Sequence, residues 1–277
     1  MSETTNNLFT RQPSGLYYAN LCAQELVVIN PGGTSSGKSY AIMQVLCTLA
    51  AANPFYQITV CTDTIPNLKK DVMRIMAEIV SMNPNIARFN STDRIYSFIN
   101  GAFIEFTSYE TKEDAKGGKR DIVYINECTR IDYEIFHELY LRTKQWVYLD
   151  FNPTIRFWVH DRILDVPDEY KSVKVLRSWH VHNPYLSQEM HDRIENIKDK
   201  ELWKVYARGL LGKLTGLVFY WEKVPDVPVE NVLEVIWGVD WGYTTDPTAI
   251  TKVFCMADGS FVVDVIFYAP MSAILKD

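Results

Sequence analysis

The segment "VINPGGTSSGKSYAIM", Val28 to Met43, holds Gly32, Gly37, Lys38 and Ser39 in the spacing GxxxxGK[ST], between a β-branched apolar run and a helical pattern. Residues of these types in this order suit phosphate binding, with a glycine turn and a solvated lysine as the alternative. Small side chains at Gly32, Gly33, Thr34, Ser35, Ser36 and Gly37 let consecutive backbone N–H groups wrap an anion, and the helix that follows adds the positive end of its dipole. Lys38 is expected to reach the β- and γ-phosphates of a nucleotide, and Ser39 to ligate Mg2+.

Such a loop needs an acid on a neighbouring strand, and "DIVYINECTR" offers one where an apolar run ends in Asn126-Glu127. In P-loop enzymes an Asp at the first of these positions helps hold Mg2+, and a following Glu polarises the attacking water. Asn126 carries no charge. The metal shell is therefore expected to rest on Ser39, water and nucleotide oxygens, with Glu127 as the base. A solvated Glu at a strand end is the alternative. A third strand end, "WVYLDFNPT", brings out Asp150 and Asn152 just before Pro153. A carboxylate or amide there can sense the γ-phosphate and pass its loss onward. An Asn-Pro turn without chemistry is the competing reading.

Elements must hold these residues together. Apolar patterning predicts strands over 25–30, 57–61, 103–107, 122–126 and 146–149, and helices over 38–52, 66–82 and 133–142, with Pro66 in a first turn. Their alternation predicts an α/β domain with a mostly parallel sheet. Further on, 173–179 reads as a strand and 187–208 as one or two polar helices. Gly209, Gly212, Gly216, Pro225 and Pro228 give 209–233 the composition of a linker. "EVIWGVDWGYTTDPTAITKVF" and "GSFVVDVIFYAP" then read as strand-like runs joined through Asp258-Gly259, a hairpin signal. The expected organisation is a domain over 1–208, a linker over 209–233 and a second unit over 234–277.

The chain has 277 residues, 47% hydrophobic and 22% charged, a globular composition. Its net charge of -6 excludes a surface coated in basic residues, so contact with nucleic acid has to be local or shared among subunits. Lys69, Lys70 and Arg74 form one basic group and Lys116, Lys119 and Arg120 another; both adjoin acidic residues, so solvated faces compete with DNA binding. The five cysteines form no CxxC or zinc-type cluster and read as reduced thiols. A polar start and the lack of a long apolar run predict a soluble, intracellular chain with no membrane partner.

Taken together, "GGTSSGKS", "KGGKRDIVYINE", "DFNPT" and "GVDWGYTTDPTAI" resemble the large subunit of tailed-bacteriophage DNA-packaging terminases, prophage relatives included. The Asn-Glu pair looks like the form seen in one branch of that family. The resemblance implies a P-loop NTPase of the ASCE type that uses ATP and Mg2+ to pump double-stranded DNA, followed by the beginning of an RNase H-like nuclease domain. The partners it implies are double-stranded DNA, a small terminase subunit and the portal protein of the procapsid. It also implies a homo-oligomeric ring in the host cytoplasm, transiently on the procapsid. Carried onto this chain, Gly32 to Ser39 become the ATP cradle, Lys38 and Glu127 catalytic groups, and Asp150 and Asn152 the coupling motif. Asp240 matches the first Mg2+- or Mn2+-binding aspartate of the nuclease, Asp264 is a candidate second, and Asp246, before a proline, reads as a turn residue.

Departures from the pattern matter as well. Many terminases place an Arg in the phosphate loop where this chain has Thr34, so the arginine that stabilises the transition state is sought at Arg120 first and Arg142 second. Solvated arginines are the alternative for both. Tyr17 or Tyr18 is a candidate to stack on adenine, against a packing role. Family nucleases need further carboxylates well beyond the first, and only about forty residues follow Asp240, so the nuclease unit is expected to be incomplete and inactive alone. Two other readings stay open: a metal-dependent nuclease with a regulatory ATPase half, and a nucleotide-binding assembly module or prophage remnant without DNA-stimulated turnover.

Overall fold

The structure is a computed structural model that describes residues 13–81, 83–166, 170, 172–212, 224, 230–242 and 247–270. The chain divides into two units, Met1–Gly216 and Leu217–Asp277. In chain order the first holds α1 (Gly15–Leu21), β1 (Val27–Pro31), α2 (Lys38–Ala52), β2 (Gln57–Thr62), α3 (Ile65–Lys70), α4 (Val72–Ser81), β3 (Ala87–Asn90), β4 (Ile95–Phe98) and β5 (Phe103–Ser108). There follow β6 (Arg120–Ile125), α5 (Tyr133–Leu141), β7 (Thr143–Phe151), β8 (Val173–Val175), α6 (Gln188–Glu195) and α7 (Lys200–Arg208).

These strands form one sheet in the order β3-β4-β5-β2-β6-β7-β1-β8. From β5 to β8 every pairing is parallel, and β3 and β4 add an antiparallel edge. The central strands are buried on both faces, as a parallel sheet covered by helices requires. Val28, Ile58, Ile122, Tyr124 and Tyr148 point to the side of α2 and α4, while Val27, Ile29, Val123, Ile125, Val147 and Leu149 point to the side of α5. Fully burying each such aliphatic side chain contributes about 1.5–3 kcal/mol. The alternation is the reason one β-branched run can serve two cores.

The expected helix over 38–52 forms with those bounds, because Gly37 takes φ +80° and turns the chain into its first turn. The expected helix over 66–82 forms as two, broken at Asp71, where the backbone leaves the helical region at φ -114°, ψ -97°; Met82 lies outside the described residues. Of the strand expected over 173–179 only β8 forms, yet its continuation stays along β1: Leu176 N donates to Ile29 O at 2.8 Å and Ser178 N to Pro31 O at 3.1 Å. The first residues of the expected linker instead pack within this unit. Gly209 takes φ +59° to end α7, and Gly212 N donates to Pro153 O at 2.9 Å.

The second unit contains β9 (Val232–Asp240), β10 (Pro247–Met256) and β11 (Phe261–Pro270), an antiparallel sheet in the order β11-β10-β9. The hairpin expected at Asp258-Gly259 joins β10 to β11, with Gly259 at φ +84° and Gly259 N donating to Met256 O at 3.0 Å. Apolar side chains stay exposed on both faces, Ile236, Val265 and Tyr268 on one and Val235, Trp237 and Val239 on the other.

Candidate nucleotide site

All parallel strands end on the same side of the sheet, and three of those ends supply the site. The loop after β1 runs over Gly32, Gly33, Thr34, Ser35, Ser36 and Gly37 into α2. Asn126 and Glu127 leave β6, and Asp150 and Asn152 lie at the end of β7, which pairs directly with β1. Lys38 Nζ donates to Asn152 Oδ1 at 2.7 Å, and Ser39 Oγ donates to Asp150 Oδ2 at 2.8 Å. Asp150 is wholly buried, and its other oxygen accepts from Asn126 Nδ2 at 3.2 Å and from Glu127 N at 2.9 Å. Three residues, two leaving β6 and one from the first turn of α2, thus meet around the carboxylate of Asp150.

Glu127 adopts left-handed backbone geometry at φ 51°, ψ 56°, which turns the chain off β6. Burial pushes its carboxyl up to about 7, the Asp150 charge pushes the same way, and Lys38 and Arg130 oppose both. Asp71, at the break between α3 and α4, faces the same group: burial and then the Asp150 charge raise its pKa, while a hydrogen bond with Asn126 lowers it. A carboxyl that titrates near neutrality next to a lysine is suited to accept a proton from water.

A cleft of ≈ 330 Å³ opens over the loop, lined by Ser35 to Ala41, Gln44, Ser14, Asp71, Ile75, Asn183, Tyr185 and Leu186. Asn183 Nδ2 donates to Ser35 O at 2.9 Å. The start of the loop is fixed from behind, with Gly33 N donating to Ser178 O at 2.9 Å and Thr34 N to Tyr206 O at 3.1 Å. Side chains around α7 brace that wall: Arg208 and His180 both bond to Glu195, at 2.7 and 2.9 Å.

The structure does not bring every expected residue to the site. Arg120 begins β6, at the opposite end of the strand from Glu127, where it is buried and donates to the carbonyls of Gly117 and Gly118 at 2.9 and 3.3 Å. Arg142 sits beside it, its carbonyl accepting from Arg120 N at 3.0 Å. Neither guanidinium reaches the loop after β1, because Arg120 and Arg142 lie where β6 and β7 begin and the loop lies where the parallel strands end. Arg130, three residues after Glu127, is the arginine whose charge acts there. Lys69, Lys70 and Arg74 are exposed near the phosphate end, whereas Lys116 and Lys119 are exposed before β6 at the other end, so the two groups form no single stripe. Tyr17 is buried with its hydroxyl 3.0 Å from Thr48 Oγ1, a packing role; Tyr18 is 48% exposed. Sequence patterning misses Asp71, Asn183 and Tyr185. For Asp71 no signal exists, since a helical pattern runs through it; Asn183-Pro184 marks a loop and nothing more.

In the second unit Asp240 is exposed at the end of β9, and Asp264 is exposed within β11. Asp240 aligns with Ala249 and Asp264 with Lys252, three residues apart on β10, so the two carboxylates project from opposite faces and do not share a site. Asp246 lies outside the described residues. Among the described residues no cluster of three His, Cys, Asp or Glu side chains forms a metal site, and no helix is long and apolar enough to cross a membrane.

Comparison with known proteins agrees with this fold. The chain is similar in fold to the large terminase of a thermophilic bacteriophage, with a TM-score of 0.65 at 14% identity over 93% of this chain and 69% of that one. It is similar also to the large terminase ATPase domain of Thermus phage P74-26 (TM-score 0.55, 14% identity, 74% of this chain and 96% of that one). The large terminase of bacteriophage HK97 gives a TM-score of 0.55 at 14% identity, over 91% of this chain and 61% of that one. No curated protein sequence matches. The family model for the phage terminase large subunit matches residues 24–210, from the residues before β1 to the end of α7, and the chain belongs to that family.

Proposed function

We propose that this chain hydrolyses ATP at the loop between β1 and α2 and that the hydrolysis drives double-stranded DNA through a packaging motor. The observation that carries the reading is the convergence of Lys38, Ser39, Glu127, Asp150 and Asn152 at one end of the sheet in a terminase family member. The large terminase of the thermophilic bacteriophage has been solved with ADP and with ATP-gamma-S, which supports a nucleotide at the equivalent loop here.

In this reading Glu127 takes a proton from water as the water oxygen bonds to the γ-phosphorus, and the bond to the bridging oxygen breaks to release ADP and phosphate. Lys38 balances the charge on the phosphates. Oxygen donors suit Mg2+, and Ser39 would help hold it; the bound cation would neutralise charge developing on the phosphates. Asn152 senses the γ-phosphate, since its Oδ1 holds Lys38 at 2.7 Å and has to release it when the amine turns to phosphate. Pro153 follows directly, and its carbonyl accepts from Gly212, which ties the sensor to the segment after α7. Arg130, whose charge acts on Glu127 after that of Lys38, replaces Arg120 as the candidate to steady the transition state.

Asp240 and the β9–β11 sheet are proposed as the opening of an RNase H-like nuclease domain that uses Mg2+ or Mn2+. Asp264 faces away from Asp240, so this chain alone is not expected to cut supercoiled plasmid in Mn2+. A ring of subunits on the portal, in which a small local basic surface is repeated, fits the net charge of -6.

Steady-state ATP hydrolysis with and without double-stranded DNA tests the motor. Lys38→Ala and Glu127→Gln are each expected to lower turnover by about 100-fold or more, and DNA to raise the wild-type rate. Turnover that survives both substitutions overturns the site assignment. Nucleotide binding with no turnover, even with DNA and procapsids, favours the assembly-module reading.

A further inference from the structure

The geometry points to Asp150, on β7, as the carboxylate that completes the divalent-cation shell of the phosphate loop, in place of the acidic residue absent from the end of β6. The inference rests on the nucleotide-site reading above and assigns the role within it. In P-loop enzymes the Ser or Thr of the loop and an acidic residue at the end of a neighbouring strand hold the cation between them. Here the neighbouring position is Asn126, an amide without charge.

The missing charge is present one strand over. Asp150 Oδ2 accepts from Ser39 Oγ at 2.8 Å, the contact that directs a loop hydroxyl's lone pairs toward a metal while its proton points to the carboxylate. Asp150 Oδ1 accepts from Asn126 Nδ2 at 3.2 Å and from Glu127 N at 2.9 Å. Asn126 has thus exchanged roles with Asp150: it orients the acid and does not supply it. Asp150 is wholly buried and its hydrogen bonds come from uncharged donors, while Lys38 is engaged with Asn152 at 2.7 Å. β7 lies between β6 and β1, so its end is nearer the loop's own strand than the end of β6 is. No cluster of three acidic or metal-ligating side chains forms among the described residues, so the remaining ligands would be nucleotide oxygens and water.

Asp71 is the rival carboxylate, since it too bonds to Asn126 and lines the cleft. The Ser39 hydroxyl, however, is directed at Asp150. The two acids can be separated by the metal dependence of nucleotide affinity, a binding measurement that needs no turnover.

The test is calorimetric titration of ADP into the full chain, in Mg2+ and in EDTA, for wild type, Asp150→Asn, Asp71→Asn and the exchange variant Asn126→Asp with Asp150→Asn. Wild type is expected to bind ADP about tenfold or more tightly with Mg2+, equivalent to about 1.4 kcal/mol. Asp150→Asn is expected to lose that gain while keeping its affinity in EDTA, Asp71→Asn to keep the gain, and the exchange variant to regain it by returning the charge to β6. A gain that survives in Asp150→Asn, or that vanishes in Asp71→Asn instead, overturns the assignment. Should Asp150→Asn fail to fold, the exchange variant decides: a folded exchange variant without the gain also overturns it. Wild type that binds no ADP in either condition overturns the nucleotide-site reading itself, a result distinct from the others.

Discussion

The two units of this chain are built from equally apolar strands and treat them in opposite ways. In the first, β1, β2, β6 and β7 are sealed on both faces, and Val28, Ile29, Ile58, Val123 and Leu149 have no exposed surface. In the second, β9 and β11 leave Trp237 57%, Val265 58% and Tyr268 69% exposed, and the buried side chains among its described residues are Thr248 and Met256. Strand propensity alone makes a ladder of hydrogen bonds; only covering layers turn it into a core. The apolar residues on both faces of the second sheet are those a neighbour on each side would bury. Precise side-chain geometry is found where burial holds it: the candidate nucleotide site is organised around Asp150, whereas Asp240 and Asp264 stand apart on opposite faces.

The sharpest way to break this comparison is to remove one aromatic ring from each unit. Phe136 is fully buried on α5, stacked on Trp158 with centroids 4.7 Å apart, and Phe136→Ala is expected to cost about 3–5 kcal/mol in urea unfolding. Tyr268→Ala is expected to change stability by less than about 0.5 kcal/mol. A large cost for Tyr268→Ala would mean that its face is covered in solution.

Glycines give a smaller, paired effect. A methyl group at Gly33 would drive into the Tyr206 carbonyl, a backbone atom that cannot step aside, whereas one at Gly259 meets nothing within 4 Å. Gly33→Ala is expected to cost about 1–3 kcal/mol and to weaken nucleotide binding in titration. Gly259→Ala should cost only the left-handed backbone penalty, about 1–2 kcal/mol, with nucleotide affinity unchanged.

A pH dependence is expected in the first unit alone. Glu127 has a folded-state pKa of about 7, above its ordinary 4.5, so the folded chain holds this proton more tightly than the unfolded one. The stability this contributes is fully present below about 4.5 and is lost as pH rises through about 7. Thermal melts of the nucleotide-free chain should therefore show Glu127→Gln gaining on wild type between about pH 5 and pH 8. A constant gap would mean that the carboxyl is not held in a buried, like-charged setting.

Much of the fold is legible in the sequence because local chemistry and tertiary packing agree. Lys38–Ala52 forms as patterned, and the predicted strands over 57–61 and 103–107 extend by one residue each. The edge pair β3 and β4 escapes patterning because its exposed residues show no clean alternation, and α1 because seven residues show too little periodicity. At the candidate site, Lys38 is visible in the loop motif, and Glu127 and the Asp150 and Asn152 pair are visible as strand ends. Their connections are not: Ser39 meets Asp150 across 111 residues and Lys38 meets Asn152 across 114, separations that only sheet order can close. Arg120 misleads for the same reason, since sequence proximity to Glu127 becomes a full strand length in space.

The left-handed turn at Glu127 has a consequence for any effort to make the protein hardier. Position 127 would be most comfortable as glycine, which relaxes about 1–2 kcal/mol of backbone strain and removes a carboxyl held out of water. That variant is expected to be the more heat-resistant chain and would lack the proposed base. A screen for thermal resistance alone would thus discard the chemistry at this residue early, and improvements sought by heat should be scored for turnover in the same round.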